Sequence, residues 1–380
     1  MKMAPIEIFG SIGTTAKAFI SAHRYIQGPG ILTDLGTYLP MVGSKRPGLL
    51  LPRDLPVSIG ETVREALSVD GLSWTESAFG GQCSIEEIDA QVAIFRASER
   101  DAVVAVGGGK AIDTAKCVAR RLDVPLVICP TLASTDAPCS AASVIYTAEG
   151  AFKDVEFIPS NPDLVIVDTS FIVRAPVRFL VAGMADALAT GYEARTCVSN
   201  PSARSMVGGR ITIAAATIAE ICSKTIFEHA DGALQAAREG VSNDSFEAVV
   251  EANTLLSGTG FESAGLAAAH AVASALTLIP SVEHGFLHGE MVAVGTMVHL
   301  QLEERLDDLA RVEELLTRLG LPVSFSDLGI SMEAGDETLE TVLNAACAMP
   351  FMANEPMPVT TESLRKAVEA VELRKIVTTR

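Results

Sequence analysis

Strand signals occupy only the first part of this 380-residue chain. Up to about residue 168, short β-branched or leucine-rich runs (GLLLP at 48–52, DAVVAVGGG at 101–109, VPLVICPT at 124–131, DLVIVDTS at 163–170) alternate with helical patterns such as 112–122. Such alternation builds a parallel sheet with crossover helices. After Asp168 the strand signals stop, and alanine-rich or amphipathic stretches follow at 181–197, 207–224, 246–258, 263–278, 287–304 and 306–319. The expected fold is therefore a doubly wound α/β domain over 1–168 followed by an all-helical domain over 169–380. The length suffices for two cores. No internal repeat or low-complexity segment interrupts the pattern, and the acidic stretch from Glu333 to Glu340 reads as a solvated helix start.

Within the first part, VVAVGGGKAIDTAK (103–116) runs a strand into Gly107, Gly108 and Gly109, with a helix starting at or just after Lys110. Three glycines let the backbone approach a pyrophosphate, which the free N–H groups and dipole of the helix start favour. The run lacks the G-x-G-x-x-G spacing, and a tight strand-to-helix turn would also call for glycine; Lys110 tips the reading toward phosphate. Asp113, in the first helical turn, suits the helix dipole. The segment 130–147, PTLASTDAPCSAASVIYT, is dense in hydroxyls and holds one carboxylate, Asp136. It follows a parallel strand at its carboxyl end, where ligands of such sheets bind, although an ordinary Ser/Thr/Pro turn has the same composition.

The helical part contributes Asp186 in VAGMADALATGYEAR, His270 in AGLAAAHAVASAL and His288 in HGFLHGEMVAVG. Two imidazoles and a carboxylate suit zinc or iron, and three protein ligands leave positions open for substrate. Taken singly, each histidine reads as a hydrogen-bonded core or loop residue. His270, however, sits among alanines, where an unpartnered imidazole costs about 1–3 kcal/mol, so it needs a partner.

Charge and cysteine usage exclude several classes. With 29 basic against 47 acidic residues, the net charge of −18 disfavours nucleic acid and anionic membranes and suits a small uncharged substrate. Seven scattered cysteines without a C-x-x-C pair indicate neither a disulfide framework nor a zinc knuckle, and point to a reducing, cytoplasmic setting. The start, MKMAPIEIF, lacks signal-peptide patterning. The apolar run from Ala264 to Pro280 is short for a membrane span and reads as a buried core helix.

Six ordered blocks resemble the metal-dependent polyol dehydrogenases, the glycerol dehydrogenase family: RYIQGPG (24–30), GGGKAIDTAK (107–116), PTLASTDAPCSAASVIYT (130–147), APVRFLVAGMADALAT (175–190), VEANTLLSGTGFESAGLAAAH (250–270) and HGEMVAVGT (288–296). The resemblance implies a dehydroquinate synthase-like architecture, with a dinucleotide-binding domain, a helical domain and the active site between them. It implies Zn2+ on Asp186, His270 and His288. It also implies a nicotinamide cofactor along Gly107, Gly108, Gly109, Lys110, Thr131, Ser134, Ser140, Ala142 and Tyr146, with Asp136 facing the substrate and Phe261 walling the pocket. Iron-using relatives carry a further histidine four residues after the aspartate; here Thr190 stands there, favouring zinc and a chelating diol. His284 reads as a cleft-lining or supporting histidine rather than a substitute ligand.

The activity so implied is reversible oxidation of glycerol or a related diol to the hydroxyketone with NAD(P), Asp136 acting as base or positioner, in a homo-oligomer from dimer to octamer. Pro52 and Arg53 stand where NAD-linked members carry a ribose-binding aspartate, so NADP is an alternative to NAD. Gly191, in place of a tryptophan, and Ala273 and Ser274, in place of a polar pair, predict an enlarged pocket and a bulkier polyol or hydroxyketone. Synthases of this architecture that act on phosphorylated sugars need converging basic residues, and the runs around Asp136, Asp186 and His270 are poor in them. Outside catalysis, the alternative is a cofactor-binding oligomer that has lost activity.

Overall fold

The computed structural model describes residues 15–332 and 337–378. Six parallel strands form one sheet in the order β1-β8-β5-β4-β2-β3, namely β1 (Tyr25–Gly28), β2 (Pro47–Pro52), β3 (Thr75–Phe79), β4 (Ala102–Gly107), β5 (Leu126–Pro130) and β8 (Leu164–Asp168). The central strands β4, β5 and β8 are buried along their whole length, which is why they read as continuous apolar runs. In β4, Val103 and Ala105 enter one core cluster while Val104 and Val106 enter the other, as the two-residue pleat requires. Helices α1 (Val57–Val69), α2 (Ile85–Ala97) and α3 (Gly109–Leu122) cover the sheet; α1 buries Ile59, Val63 and Leu67, each contributing about 1.5–3 kcal/mol. An antiparallel hairpin, β6 (Ala142–Tyr146) and β7 (Phe152–Phe157), stands apart from the sheet.

Strand order reverses between β2 and β4, so a crevice opens at their carboxyl ends. Pro52 to Asp54 leave one side of it, and Gly107 to Lys110 leave the other.

Among the described residues after Asp168 there are only helices and connecting segments. They are α4 (Val177–Ser199), α5 (Ile213–Glu239), α6 (Asp244–Glu251), α7 (Ser257–Ala264), α8 (Ala268–Leu276), α9 (His288–Leu302), α10 (Leu306–Leu319), α11 (Glu337–Ala348) and α12 (Thr361–Thr378), besides shorter turns. The expected 207–224 helix begins only at Ile213, where Thr212 caps it by accepting from Ala215 N. The run 246–258 is interrupted by a π-helical turn, Ala252–Leu256, and the run 263–278 by Gly265 at φ 92°, which a β-carbon would strain. Of the acidic stretch, 333–336 lie outside the described residues; Glu337 begins α11. No helix of the described residues is long and apolar enough to cross a membrane.

Glycine permits two close helix contacts. A β-carbon on Gly289 would collide with the Ala182 carbonyl of α4, and one on Gly295 with the Ala269 carbonyl of α8. Helix α9 is thereby held against both neighbours at backbone distance.

Candidate active site

Asp186 lies midway along α4, buried to 1 % exposure; His270 lies in the first turn of α8, and His288 opens α9. The contacts of Gly289 and Gly295 bring the three together. Both imidazole Nε2 atoms face one carboxylate oxygen, Asp186 Oδ1, at 3.3 Å for His270 and 3.6 Å for His288, with ring centroids 5.6 Å apart. Neither oxygen of Asp186 has a hydrogen-bond partner, which is costly for a buried carboxylate unless a cation completes it.

The other ring nitrogen of His270 is committed elsewhere. His270 Nδ1 donates to Glu193 Oε2 at 2.5 Å, which orients the ring and turns Nε2 toward Asp186. Glu193 sits about two turns after Asp186 on the same helix, and its Oε1 accepts from Ala267 N (2.8 Å) and His270 N (2.9 Å) at the start of α8. Burial opposes charge on His270, but Glu193 and Asp186 outweigh it and hold its pKa well above the ordinary value. For His288, burial prevails and lowers the pKa. Burial also works against the Asp186 carboxylate, yet the two imidazoles keep its pKa below the usual one. The donor set therefore fits a divalent cation, with a ready carboxylate, one oriented imidazole and one readily neutral imidazole. Glu193→Gln is expected to fold but to bind metal about 10–100-fold more weakly in chelator competition; unchanged affinity would show that Glu193 is only a helix cap.

Thr190 does not face this site. Its hydroxyl pairs with Ser257 Oγ at 2.9 Å, and its methyl fills the space above Gly260 of α7. His284 is exposed on a short helical turn beside Glu283. Gly191 does not enlarge a pocket either: Ser223 and the Ala219 carbonyl of α5 occupy the space where its side chain would be, so glycine here serves helix packing.

A cleft of about 830 Å³ runs along the strand ends, lined by Pro52, Arg53, Gly108, Gly109, Lys110 and Thr131 among others. Helix α3 starts at Gly109 with Gly108 as its cap and no capping side chain, so its first N–H groups remain available to an anion. Gly107 packs instead on Pro52, and a β-carbon there would crowd the proline ring. Lys110 Nζ donates to Gln82 Oε1 (2.7 Å) and lies 4.8 Å above the Tyr146 ring. Ser134, Ser140, Ala142 and Tyr146 lie outside the lining of this cleft.

Ser140 is buried and bonded to Lys116, whose Nζ also donates to Ala142 O (2.7 Å) and Asp113 Oδ1 (3.1 Å). Asp113 lies beyond the first turn of α3, which starts at Gly109; it is buried, and its second oxygen accepts from Val144 N of the hairpin. Asp136 approaches the triad closely enough that burial and then the charge of Asp186 push its pKa well above the ordinary value. Phe261, on α7, is buried to 8 % exposure. The segment between cleft and triad is tied to α4 by Asn253 of the π-turn, whose Nδ2 donates to Ala133 O (2.8 Å) and Leu180 O (3.2 Å). A side chain on Gly183 would block that approach.

A second set of metal-capable donors, His299, Glu303 and Glu355, lies behind α8. Here Thr196 Oγ1 donates to Glu303 (2.7 Å) and accepts from His299 Nε2 (3.0 Å), and Glu355 Oε1 accepts from Ala268 N. Burial opposes charging His299, but Glu355 and Glu303 outweigh it. Through Glu355 this cluster supports the start of α8.

Comparison with known proteins agrees with this architecture. A family model described as iron-containing alcohol dehydrogenase matches residues 22–169. A glycerol dehydrogenase of Escherichia coli is 43% identical over 330 residues, 86% of this chain and 89% of that protein. A glycolaldehyde reductase of Halobacterium salinarum is 41% identical over 355 residues, 92% of this chain and 95% of that protein. The crystal structure of glycerol dehydrogenase from Schizosaccharomyces pombe superposes with a TM-score of 0.88 at 37% identity, covering 94% of this chain and 91% of that one.

Proposed function

The chain belongs to the iron-containing alcohol dehydrogenase family, and on that premise we propose that it oxidises glycerol or a related vicinal diol to the hydroxyketone, reversibly, with NAD as hydride acceptor. The observation that carries the reading is the buried carboxylate of Asp186, one oxygen of which faces the Nε2 atoms of both His270 and His288. These three residues would hold the metal, and zinc is the ion we assign, because Thr190 turns to Ser257 and leaves a three-ligand set. A divalent cation held there would supply Lewis acidity to a substrate oxygen.

The chain's own groups do the remainder. Glu193 orients the His270 ring. Asp136, beside Asp186, exchanges the hydroxyl proton; burial and the Asp186 charge hold its pKa well above the ordinary value, which makes its carboxylate a stronger base than a free one. The cleft from Arg53 to Thr131 takes the dinucleotide, its pyrophosphate at the start of α3, and Phe261 closes the substrate side. Segregation of the α/β part over 1–168 from the helical part over 169–380 gives the cofactor and the metal to different halves. Seven free thiols support a reducing, cytoplasmic setting, and exposed Ile213 and Ile221 on α5 support self-association.

The test is purified protein assayed with NAD against glycerol, 1,2-propanediol, longer polyols and dihydroxyacetone. Chelation is expected to abolish turnover, and added zinc to restore it. If no diol turns over with metal present, the reading fails.

A further inference from the structure

The charged residues lining the cleft at the strand ends are Arg53, Lys110 and Arg174 against Asp54 alone. In a chain of net charge −18, three cations facing one carboxylate make this cleft a seat for anions. Lys110 is engaged with Gln82 and the Tyr146 ring. The two guanidiniums are not. Arg53 and Arg174 are exposed and enter no side-chain hydrogen bond or ion pair among the described residues, whereas Arg64, Arg121 and Arg178 are each paired with a glutamate.

Arg53 also stands beside the turn that receives the pyrophosphate. Strands β2 and β4 are parallel neighbours, and Pro52, the last residue of β2, packs on Gly107 at the end of β4. Arg53 follows at once. With Asp54 it forms the centre of a turn closed by Leu55 N, which donates to Pro52 O at 3.2 Å. Ser58, in the first turn of α1, lines the cleft just beyond.

We propose that Arg53 is a specificity-determining residue that pairs with the 2′-phosphate of an NADP adenosine ribose, so that the cleft takes NADP at least as tightly as NAD. The proposal rests on the assignment of this cleft to a nicotinamide dinucleotide.

A free ribose 2′-hydroxyl calls for a carboxylate acceptor at the strand end next to the phosphate turn; a 2′-phosphate calls for a guanidinium, whose planar fork meets two phosphate oxygens at once. Both kinds of group are present, as Asp54 and Arg53. The charge count decides between them. The start of α3 and Lys110 serve the pyrophosphate, which leaves two guanidiniums in the cleft, and Asp54 offsets only one. An additional phosphate on the ribose meets the cation that remains.

The experiment titrates the metal-loaded protein with NADH and with NADPH, followed by the fluorescence of the nucleotides themselves, on the unaltered chain and on Arg53→Ser. In the unaltered chain the dissociation constant for NADPH should equal or lie below that for NADH. In Arg53→Ser the ratio of the NADPH constant to the NADH constant should rise roughly ten- to hundredfold, the loss of charge-assisted bonds to one phosphate. A second measurement needs no variant: adenosine 2′,5′-bisphosphate should displace NADPH from the unaltered chain at about a tenth of the concentration that 5′-AMP requires. NADPH binding about tenfold or more weaker than NADH binding, a ratio that Arg53→Ser leaves in place, or equal displacement by the two adenosine phosphates would each overturn the role given to Arg53. Diol turnover with NAD beside such a result removes that role alone. If neither NADH nor NADPH binds, the dinucleotide reading of the cleft fails, and the proposal with it.

Discussion

Replacing His270 by alanine is expected to remove the metal and to lower turnover about a thousandfold or more, the equivalent of roughly 4 kcal/mol of transition-state stabilisation. The imidazole has two duties, and the substitution ends both. Its Nε2 no longer faces Asp186 Oδ1, and its Nδ1 no longer satisfies Glu193 Oε2. Two buried carboxylates then remain on one face of α4 without the ring that stood between them. Elemental analysis of the purified variant and steady-state rates with a diol should fall together. Full metal occupancy in His270→Ala would contradict the ligand assignment, whatever its activity.

Gly289→Ala is expected to damage the protein from a different direction. The added methyl would meet the Ala182 carbonyl of α4, a backbone atom that cannot rotate away, so α9 must shift as a body. Overpacking of this kind costs about 1–3 kcal/mol, and the rigidity of the partner places it at the upper end. The displaced residue next in sequence is His288, so metal affinity should fall with stability. Glu290, which pairs with Arg178 and accepts from Leu287 N, would be pulled from both. Thermal unfolding and metal content measure the two effects; a variant with unchanged midpoint and full metal would mean that α9 has slack the packing does not show.

The central strands and the candidate ligand trio are legible in the sequence because each is a local signal. Strands β4, β5 and β8 are buried on both faces and therefore apolar throughout; the edge strands YIQG and TESAF are half-buried and carry no such run, so nothing local marks them. Strand β6 is hidden in a segment whose hydroxyls resemble a turn. Asp186, His270 and His288 can be nominated from residue type and motif, whereas Glu193 and Asn253 act through distant backbone groups that only the fold brings near. The seven-residue spacing of Asp186 and Glu193 is the available clue, since it puts both carboxylates on one helix face. Gly191 misleads for the opposite reason. A missing large side chain looks like empty space in a sequence, but here α5 fills it.

The unpartnered oxygens of Asp186 also bear on electroneutrality. Asp186 and Glu193 are two formal negative charges in the interior, and imidazoles that coordinate through Nε2 stay neutral. A dication would bring this ledger to zero, and a proton on His270 alone would not. The ion that activates the substrate would therefore also be the counter-charge that lets α4 carry two acids through the middle of the protein.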